Sequence, residues 1–206
     1  MDKIVCLGKN YLDHAKELGD AIPERPVLFL KPPSALVNAH AGIAKASLPD
    51  EGGSCHHECE IVIKIKTGGF RIPTTEARAQ IESITLGLDM TLRDLQTKLK
   101  ENGHPWEIAK AFPDSAIVGP WVPTRDFPKF ESEPFSFELG GKVRQQACAN
   151  DMIFKIDEAI AYASHFFKLC PGDLIFTGTP AGVGPVTRGS RAKLKWGPLH
   201  YEVEWQ

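Results

Sequence analysis

The sequence lacks the features that mark two large classes of protein. No apolar run approaches the roughly 18 residues that a membrane-spanning helix needs. Lysine and arginine number 24 against 26 acidic residues, so the positive excess that coats nucleic acid or an anionic membrane is missing. We therefore expect neither a nucleic-acid partner nor a membrane partner.

The cysteines are too few and too scattered for a disulfide framework. An odd number is present, at Cys6, Cys55, Cys59, Cys148 and Cys170. Such a pattern is typical of a reducing compartment. The first residues contain neither an apolar stretch of signal-peptide length nor an Arg-rich leader. We expect a protein that is not secreted, located in the cytoplasm or in mitochondria.

Nucleotide-binding signatures and internal repeats are also missing. There is no GxGxxG, and the Gly- and Pro-rich loop after Thr177 lacks the lysine of a Walker loop. Because no repeat or linker interrupts the chain, residues 1–206 are predicted to form a single domain. Strand-like segments outnumber helical ones and do not alternate with them regularly, which predicts an α+β fold rather than a Rossmann or TIM layout.

Alternation over residues 58–65 is the clearest strand signal. The odd-numbered residues of this segment are apolar and share one face, while Glu58 and Glu60 share the other. The pattern predicts a half-buried strand. Farther along the chain, Gly140 and Gly141 indicate the turn of a β-hairpin.

Four helices are predicted. Asn10 and Thr91 are suitable N-caps for two of them, which would end at Gly19 and Gly103. A short amphipathic helix is predicted over residues 74–83, and the longest helical pattern covers residues 151–169.

Acidic side chains give the strongest chemical signal. Two like charges held side by side, as at Glu58 and Glu60, cost on the order of several kcal/mol per ion if they are dry and unpaired. A divalent cation removes that cost, and Asp89, at the end of another predicted strand, could supply a third carboxylate. Such oxygen ligands suit Mg²⁺, Mn²⁺ or Ca²⁺. The alternative is that both glutamates are solvated on an exposed strand face.

A second metal interpretation uses softer ligands. Cys55, His56, His57 and Cys59 lie within five residues and could bind zinc. Adjacent ligands on an extended chain point to opposite sides, however, and no second Cys/His pair follows at finger spacing. The oxygen-ligand site is favoured, and the zinc site stays an alternative.

His14 and Glu17 are three residues apart on the first predicted helix, so they share a face. A carboxylate beside an imidazole raises its basicity and fixes its tautomer, which is the arrangement of a general base that activates water. On spacing alone, a surface histidine with a helix neighbour is the more ordinary interpretation.

Four further side chains are candidates for ligand binding. Arg93 and Gln96 extend from the helix that follows Asp89, and a guanidinium with an amide suits a ligand that carries carboxylate and carbonyl groups. Lys110 has apolar neighbours and would need an anion if buried. Thr179 enters a loop that could offer free N–H groups. A solvated helix face, an exposed lysine and a plain tight turn are the respective alternatives.

Six segments, taken in order, resemble the motifs of the fumarylacetoacetate hydrolase family, and most closely its short acylpyruvate hydrolase and oxaloacetate decarboxylase members. They run from about residue 5 to about residue 190 and read GKNYLDH, PVLFLKP, HHECE, LDMTLRDLQ, PWEIAKAF and PGDLIFTGTPAGVGP. The resemblance implies an α+β fold of the family's mixed β-sandwich or β-roll type with short flanking helices. It also implies a homodimer.

The same resemblance implies a role for each candidate residue. It makes Glu58, Glu60 and Asp89 the ligands of Mg²⁺, with Mn²⁺ or Ca²⁺ as alternatives. The implied catalytic residues are His14, Glu17 and Lys110, and the implied substrate-binding residues are Arg93, Gln96 and Thr179. The implied substrate is a small 2-oxo acid.

The implied reaction is metal-dependent cleavage of a C–C bond in 2-oxo or 2,4-dioxo acids, through a metal-stabilised pyruvate enolate. For a dioxo acid, His14 would take a proton from the water that attacks the 4-carbonyl; oxaloacetate would lose CO₂ without an attacking water. Two alternatives stay open. The site could be an isomerase or tautomerase, which moves a proton without breaking a carbon bond, or a noncatalytic metal-binding scaffold.

Overall fold

The structure is a computed structural model and describes residues 1–17, 19 and 21–206. Its strands, in chain order, are β1 (Ile4–Gly8), β2 (Val27–Lys31), β3 (Leu36–Asn38), β4 (Ile43–Ala46), β5 (Cys55–His57), β6 (Cys59–Ile65), β7 (Ile81–Asp89), β8 (Thr91–Leu92), β9 (Ala116–Val118), β10 (Val122–Pro123), β11 (Phe135–Leu139), β12 (Lys142–Ala147), β13 (Leu174–Phe176), β14 (Gly184–Pro185), β15 (Arg191–Trp196) and β16 (Leu199–Trp205). The α-helices are α1 (Leu12–Glu17), α2 (Thr74–Ala77), α3 (Arg93–Glu101), α4 (Glu107–Lys110) and α5 (Ile156–Phe166).

The strands form two large mixed sheets and one small sheet. The first sheet is curled and has the order β2-β1-β13-β6-β7-β9-β3, with β10 also paired to β7. The second has the order β12-β11-β15-β16-β4, and the third β14-β5-β8. Three pairs are parallel, namely β1 with β13, β3 with β9, and β4 with β16. Mixed sheets with a few short helices confirm the predicted α+β fold.

Strand β6 is buried on both faces. Ile61, Ile63 and Ile65 belong to the larger core, which also takes in apolar side chains of the second sheet. Val62 packs with Phe176 in a smaller cluster on the opposite face. The prediction of a half-buried strand is therefore wrong, because a second apolar layer covers the face that carries Glu58 and Glu60.

The predicted helix caps are wrong as well. Asn10 does not cap α1, since its side-chain amide is buried and donates to the carbonyls of Phe154 at 3.0 Å and Thr177 at 2.8 Å. Thr91 lies in β8, and α3 begins two residues later without a side-chain cap. Helix α1 is described as far as Glu17.

The longest helix is shorter than its sequence pattern. Residues 149–151 form a 3₁₀ turn, and α5 spans Ile156–Phe166 instead of 151–169. Among the helices that the structure describes, none is long and apolar enough to cross a bilayer. The hairpin predicted at Gly140 and Gly141 is present between β11 and β12, and both glycines have positive φ, at 61° and 76°.

A bend in two paired strands creates the corner that holds the candidate site. Cys59 pairs with Leu88 within the first sheet, whereas Cys55 pairs with Leu92 in the third. Residues 55–65 therefore pass from the third sheet into the first, and residues 81–92 pass from the first sheet into the third. Glu58 lies at the break between β5 and β6. Asp89, the last residue of β7, lies beside it, because its N–H donates to the Glu58 carbonyl at 2.9 Å.

Candidate active site

Three buried carboxylates converge at this corner. One oxygen each from Glu58, Glu60 and Asp89 lies within 4.8 Å of the other two. Their exposed fractions are 5%, 1% and 1%, so the alternative of glutamates solvated on an open strand face is wrong. Within residues 1–17, 19 and 21–206, no other group of three or more potential metal ligands converges in this way.

The soft-ligand alternative is wrong for the same reason, since Cys55, His56, His57 and Cys59 do not converge among the described residues. Burial raises the pKa of the Cys55 thiol to about 11, which disfavours the thiolate that zinc requires. The Nδ1 of His57 is occupied by the side chain of Gln145 at 2.9 Å.

Local structure fixes the direction of each carboxylate. Glu60 stands two residues after Glu58, so both side chains leave the chain on the same side. Residues 177–183 follow β13 and are called the turn after β13 below. Within this turn, the Gly178 N–H donates to Glu60 Oε2 at 2.7 Å. The cluster is therefore held by the start of β6, by the end of β7 and by the turn after β13.

Three cationic side chains contact the carboxylates. Lys110 Nζ donates to Glu58 Oε2 at 2.7 Å and to Asp89 Oδ2 at 2.8 Å. The Arg93 guanidinium donates to Glu58 Oε1, and Lys31 Nζ lies 2.8 Å from Asp89 Oδ1. The structure thus makes Lys110 a buried lysine between two anions, and the alternative of an exposed lysine is wrong.

The members of the cluster differ in proton affinity. Burial alone would raise the pKa of Glu58, but Lys110 and Arg93 outweigh burial and hold that pKa below its ordinary range. For Glu60, burial and then the negative charges of Asp89 and Glu58 raise the pKa well above its ordinary value. Burial would lower the pKa of Lys110, but Asp89 and Glu58 outweigh it and raise that pKa, so Lys110 is an ammonium at neutral pH.

The residues present fit a divalent cation. Asp89 Oδ1 is buried and has no hydrogen bond, because the nearby Lys31 ammonium forms an ion pair without hydrogen-bond geometry. Glu60 is pressed by two like charges that a cation would neutralise. A donor set made only of carboxylate oxygens suits a hard ion such as Mg²⁺, Mn²⁺ or Ca²⁺.

The three carboxylates line a cleft, and helix α1 brings an imidazole to it. His14 is 4% exposed, lines the cleft with the three carboxylates, and has its Nδ1 3.3 Å from Glu17 Oε2. The alternative of a surface histidine is therefore wrong. The Gly182 N–H donates to both Glu17 oxygens at 3.1 Å, which ties this pair to the turn after β13.

The predicted substrate-binding residues complete the lining. Arg93 Nη1 donates to Gln96 Oε1 at 2.7 Å, and Thr179 Oγ1 donates to the Cys59 carbonyl at 2.9 Å. Of the nine predicted site residues, eight line one cleft, and Glu17 reaches it through His14. The order of the motifs along the sequence does not predict the distances between these side chains, which depend on the fold.

Sequence reasoning missed Lys31 and Gln145. Lys31 is fully buried at the end of β2, where its ammonium also donates to the Met90 and Ser115 carbonyls at 3.2 and 3.0 Å. A lysine that closes the apolar strand VLFLK is a signal that could have found it. Gln145 has no such signal, because the neighbouring Arg144 and Gln146 are exposed.

The model of the fumarylacetoacetate (FAA) hydrolase C-terminal family matches residues 3–204. The chain belongs to this family. Its match to the family covers every element of the cleft, and the family assignment made from six sequence segments is confirmed.

Several relatives and solved structures of the family carry names of enzymes. Oxaloacetate tautomerase YcgM of Escherichia coli is 42% identical over 190 residues, which cover 92% of this chain and 85% of the relative. The mitochondrial oxaloacetate tautomerase FAHD2 of rice (Oryza sativa subsp. japonica) is 39% identical over 193 residues, with coverage of 93% and 84%.

Fumarylpyruvate hydrolase from Pseudomonas aeruginosa, solved in complex with Mn²⁺ and pyruvate, superposes with a TM-score of 0.91. It is 38% identical, and the match covers 100% of this chain and 89% of that one. The two tautomerases and this hydrolase are thus named for reactions of small 2-oxo acids, and the hydrolase structure contains Mn²⁺.

Proposed function

We propose that this chain is a divalent-metal-dependent enzyme that interconverts the keto and enol forms of oxaloacetate. The observation that carries the proposal is the convergence of three buried carboxylates within 4.8 Å, in a cleft also lined by His14, Arg93 and Lys110. The names of the Escherichia coli and rice relatives support oxaloacetate as the substrate and tautomerisation as the reaction.

The charge of the cleft favours a substrate with two negative charges. The three carboxylates contact Lys31, Lys110 and Arg93, so these side chains balance one another. A divalent cation held by the three carboxylates would therefore leave an excess of two positive charges. Oxaloacetate, a 2-oxo dicarboxylate, matches this excess better than a neutral or monoanionic ligand does.

Glu58, Glu60 and Asp89 would hold the cation, for which Mg²⁺ or Mn²⁺ is proposed. When bound, it supplies a Lewis acid that polarises the 2-oxo group of the substrate. The Lys110 ammonium is suited to hold the negative charge that develops on the 2-oxo oxygen, because its raised pKa keeps it protonated. Arg93 and Gln96 would orient a substrate carboxylate, and Thr179 would close the cleft on its other side.

His14 is the proposed base. A carboxylate can only accept a hydrogen bond, so Glu17 places the hydrogen of the imidazole on Nδ1 and leaves the lone pair on Nε2. His14 Nε2 takes a proton from C3 of oxaloacetate as the C2–C3 double bond forms. The 2-oxo oxygen takes a proton from solvent and the His14 imidazolium returns one to solvent, which completes the enol and restores the base. The reverse steps restore the keto form.

Hydrolysis of acylpyruvates is the second candidate, and the buried His14–Glu17 pair favours it. A base held by a carboxylate can take a proton from water as well as from carbon. The hydroxide would attack the 4-carbonyl of a 2,4-dioxo acid and the C3–C4 bond would break. The C3 carbanion would take the proton held by His14, which gives pyruvate and a carboxylic acid. Loss of CO₂ from oxaloacetate would need neither water nor base. The same pair argues against a noncatalytic scaffold, which has no use for it.

A product screen tests the proposal directly. The purified protein, with Mg²⁺ or Mn²⁺, is given oxaloacetate, acetylpyruvate and fumarylpyruvate, and enol absorbance, pyruvate and CO₂ are followed. A tautomerase accelerates the change in enol absorbance and releases neither pyruvate nor CO₂, whereas C–C cleavage releases pyruvate. Full activity after exhaustive chelation would contradict the metal, and no activity on any substrate would contradict the proposal.

The role of His14 has its own test. We expect His14→Ala to lower turnover by about 10²-fold or more, which is the contribution typical of a positioned general base. His165→Ala is the matched control, because His165 is exposed on α5 and lies outside the cleft. Equal turnover in the two variants would exclude His14 as the base.

A homodimer, a single domain over residues 1–206 and a cytoplasmic or mitochondrial location remain part of the proposal. The rice relative is named as mitochondrial, which supports the second location. Light scattering on the purified chain tests the dimer, and microscopy of a tagged full chain tests the location.

A further inference from the structure

The side chain of Gln145 connects parts of the cleft that belong to different sheets. It lies on β12, at the edge of the second sheet, and is 1% exposed. Its Oε1 accepts hydrogen bonds from His57 Nδ1 at 2.9 Å and from the Cys59 N–H at 3.0 Å. Cys59 lies between Glu58 and Glu60, so one amide oxygen holds the backbone on which both glutamates are mounted.

The amide nitrogen faces the turn after β13. Gln145 Nε2 donates to Thr179 Oγ1 at 2.7 Å and to the Pro180 carbonyl at 2.8 Å. A carbonyl can only accept and a backbone N–H can only donate, so Pro180 and Cys59 together determine which end of the amide is which. The Thr179 hydroxyl in turn donates a hydrogen bond to the Cys59 carbonyl at 2.9 Å, which closes a ring of hydrogen bonds.

The same strand supports the turn at a second point. Gly182 has a φ of +97°, and a Cβ on it would lie 1.9 Å from the Arg144 carbonyl oxygen, so only glycine fits against β12 there. The Gly182 N–H donates to both oxygens of Glu17. Strand β12 therefore reaches the His14–Glu17 pair through the turn, and the metal-ligand strand through Gln145.

We propose that Gln145 is a positioning residue that fixes the backbone of Glu58 and Glu60 against the turn that carries Thr179 and orients Glu17. Its four hydrogen bonds join the two halves of the cleft whose separation sets the distance from the carboxylates to the base. Its effect on turnover rests on the proposed reaction, whereas its effect on metal affinity rests only on the proposed cation site at Glu58, Glu60 and Asp89.

Gln145→Met tests the whole network, because methionine keeps the length of the side chain and removes all four hydrogen bonds. We expect the Kd for Mn²⁺, measured by calorimetry on the substrate-free protein, to rise about 10-fold or more, as for residues that orient metal ligands. We expect kcat to fall by about 10- to 100-fold with a smaller change in KM, because the groups remain present and lose only their alignment.

Ser164→Ala is the matched control for stability. Ser164 is also fully buried, and its hydroxyl accepts from the Ile72 N–H at 2.8 Å and donates to the Ala161 carbonyl at 2.7 Å, outside the cleft. Both variants should lower Tm, but only Gln145→Met should change metal affinity and kcat. If both variants lower Tm and neither changes Kd or kcat beyond twofold, Gln145 is only structural and the proposal is overturned.

Gln145→Glu separates the two ends of the amide and decides the question if the methionine variant does not fold. At a pH at which it is ionised, the new carboxylate can still accept from His57 and Cys59 but cannot donate to Thr179 and Pro180. We expect a Kd for Mn²⁺ within about threefold of the wild type and a kcat lowered by about 10-fold or more. A wild-type kcat in this variant would overturn the proposal.

A double-mutant cycle with Thr179→Val tests the link itself. If Gln145 acts through the Thr179 hydroxyl, the two substitutions cost less together than the product of their separate effects on kcat. Fully multiplicative effects would overturn the link. If the wild type binds Mn²⁺ but turns over none of the 2-oxo acids, the proposed function fails, and the Mn²⁺ affinity of Gln145→Met still tests the positioning role.

Discussion

Asp173 and Glu60 are both almost fully shielded from solvent, yet their surroundings have opposite effects on the stability of the negative charge. Asp173 accepts hydrogen bonds from the Asp2, Lys3 and Cys170 N–H groups at 2.7 to 3.1 Å and from the Lys3 ammonium at 2.6 Å. Burial alone would raise the pKa of Asp173, but these donors outweigh it and lower that pKa.

At the cleft the ratio of donors to charges is less favourable. Three carboxylates share Lys31, Lys110 and Arg93, and Glu60 receives a single backbone donor, from Gly178. Its raised pKa shows that the fold places this charge where the protein alone does not stabilise it. A buried charge with a surplus of donors is a structural anchor, and one with a deficit indicates a missing ligand.

The largest effect is expected for Glu60→Gln. The amide keeps an oxygen for the Gly178 N–H but removes a charge that a cation needs and that Asp89 and Glu58 oppose. We expect turnover and Mn²⁺ binding to be lost, while Tm in excess chelator is unchanged or higher. Mn²⁺ at 100 times its Kd should stabilise the wild type by about 2.7 kcal/mol and the variant by almost nothing.

Glu82→Gln is the control for this prediction, since Glu82 lies on the neighbouring strand β7 but is exposed. Its Mn²⁺-dependent rise in Tm should equal that of the wild type. If the chelated Glu60→Gln protein is less stable than the chelated wild type by more than about 1 kcal/mol, the Glu60 charge stabilises the fold as the Asp173 charge does, because one hydrogen bond contributes about 1 kcal/mol net. The contrast between the two residues would then be wrong.

Asp173→Asn should have the reverse profile. An asparagine presents an NH₂ group to donors that all need an acceptor, and it loses the Lys3 ion pair. We expect the free energy of unfolding to fall by about 1–3 kcal/mol, the cost of leaving buried hydrogen-bonding groups unpaired. Turnover and the Kd for Mn²⁺ should not change, because Asp173 is not part of the cleft. Urea unfolding and calorimetry check both parts.

The pH dependence of that difference sharpens the comparison. The pKa of Asp173 is lower in the folded state than its ordinary 3.8, so the unfolded chain binds this proton more readily. The stabilisation is therefore complete well above pH 3.8 and is lost as pH falls through 3.8 toward the folded pKa. Between pH 7 and pH 3, the stability gap between wild type and Asp173→Asn should narrow. A gap that is constant or widens on acidification would mean that the carboxylate charge is not the stabilising feature.

The sequence predicts the chemistry of the cleft better than its support. Glu58 and Glu60 were identified because a period of two puts like charges on one face, and charge conflict is visible in a sequence. Asp89 required only the assumption that strand ends meet, and Lys110 was a candidate because its apolar neighbours make its burial plausible. These predictions use residue type and local spacing, which the chain states directly.

Positions fixed by long-range packing could not be predicted in this way. Gln145 lies between exposed neighbours, and its partner Cys59 is 86 residues away, so nothing local marks it. Asn10 is of a residue type that often caps helices, but its side chain donates hydrogen bonds to the Phe154 and Thr177 carbonyls instead, because the fold brings those carbonyls to it. The burial of both faces of β6 likewise depends on a second layer that comes from other parts of the chain.

The smallest effect is expected at the other end of the same strands. Lys64 on β6 and Glu82 on β7 form an ion pair of 2.8 Å, the same distance that separates Lys110 from Asp89. The Lys64 and Glu82 side chains are 32% and 44% exposed, so water screens their charges and replaces the lost contact. A double-mutant cycle to alanine should give a coupling of about 0.5 kcal/mol. A coupling of several kcal/mol would mean that distance, rather than burial, sets the strength of these pairs, and the contrast between anchor and cleft would then need another cause.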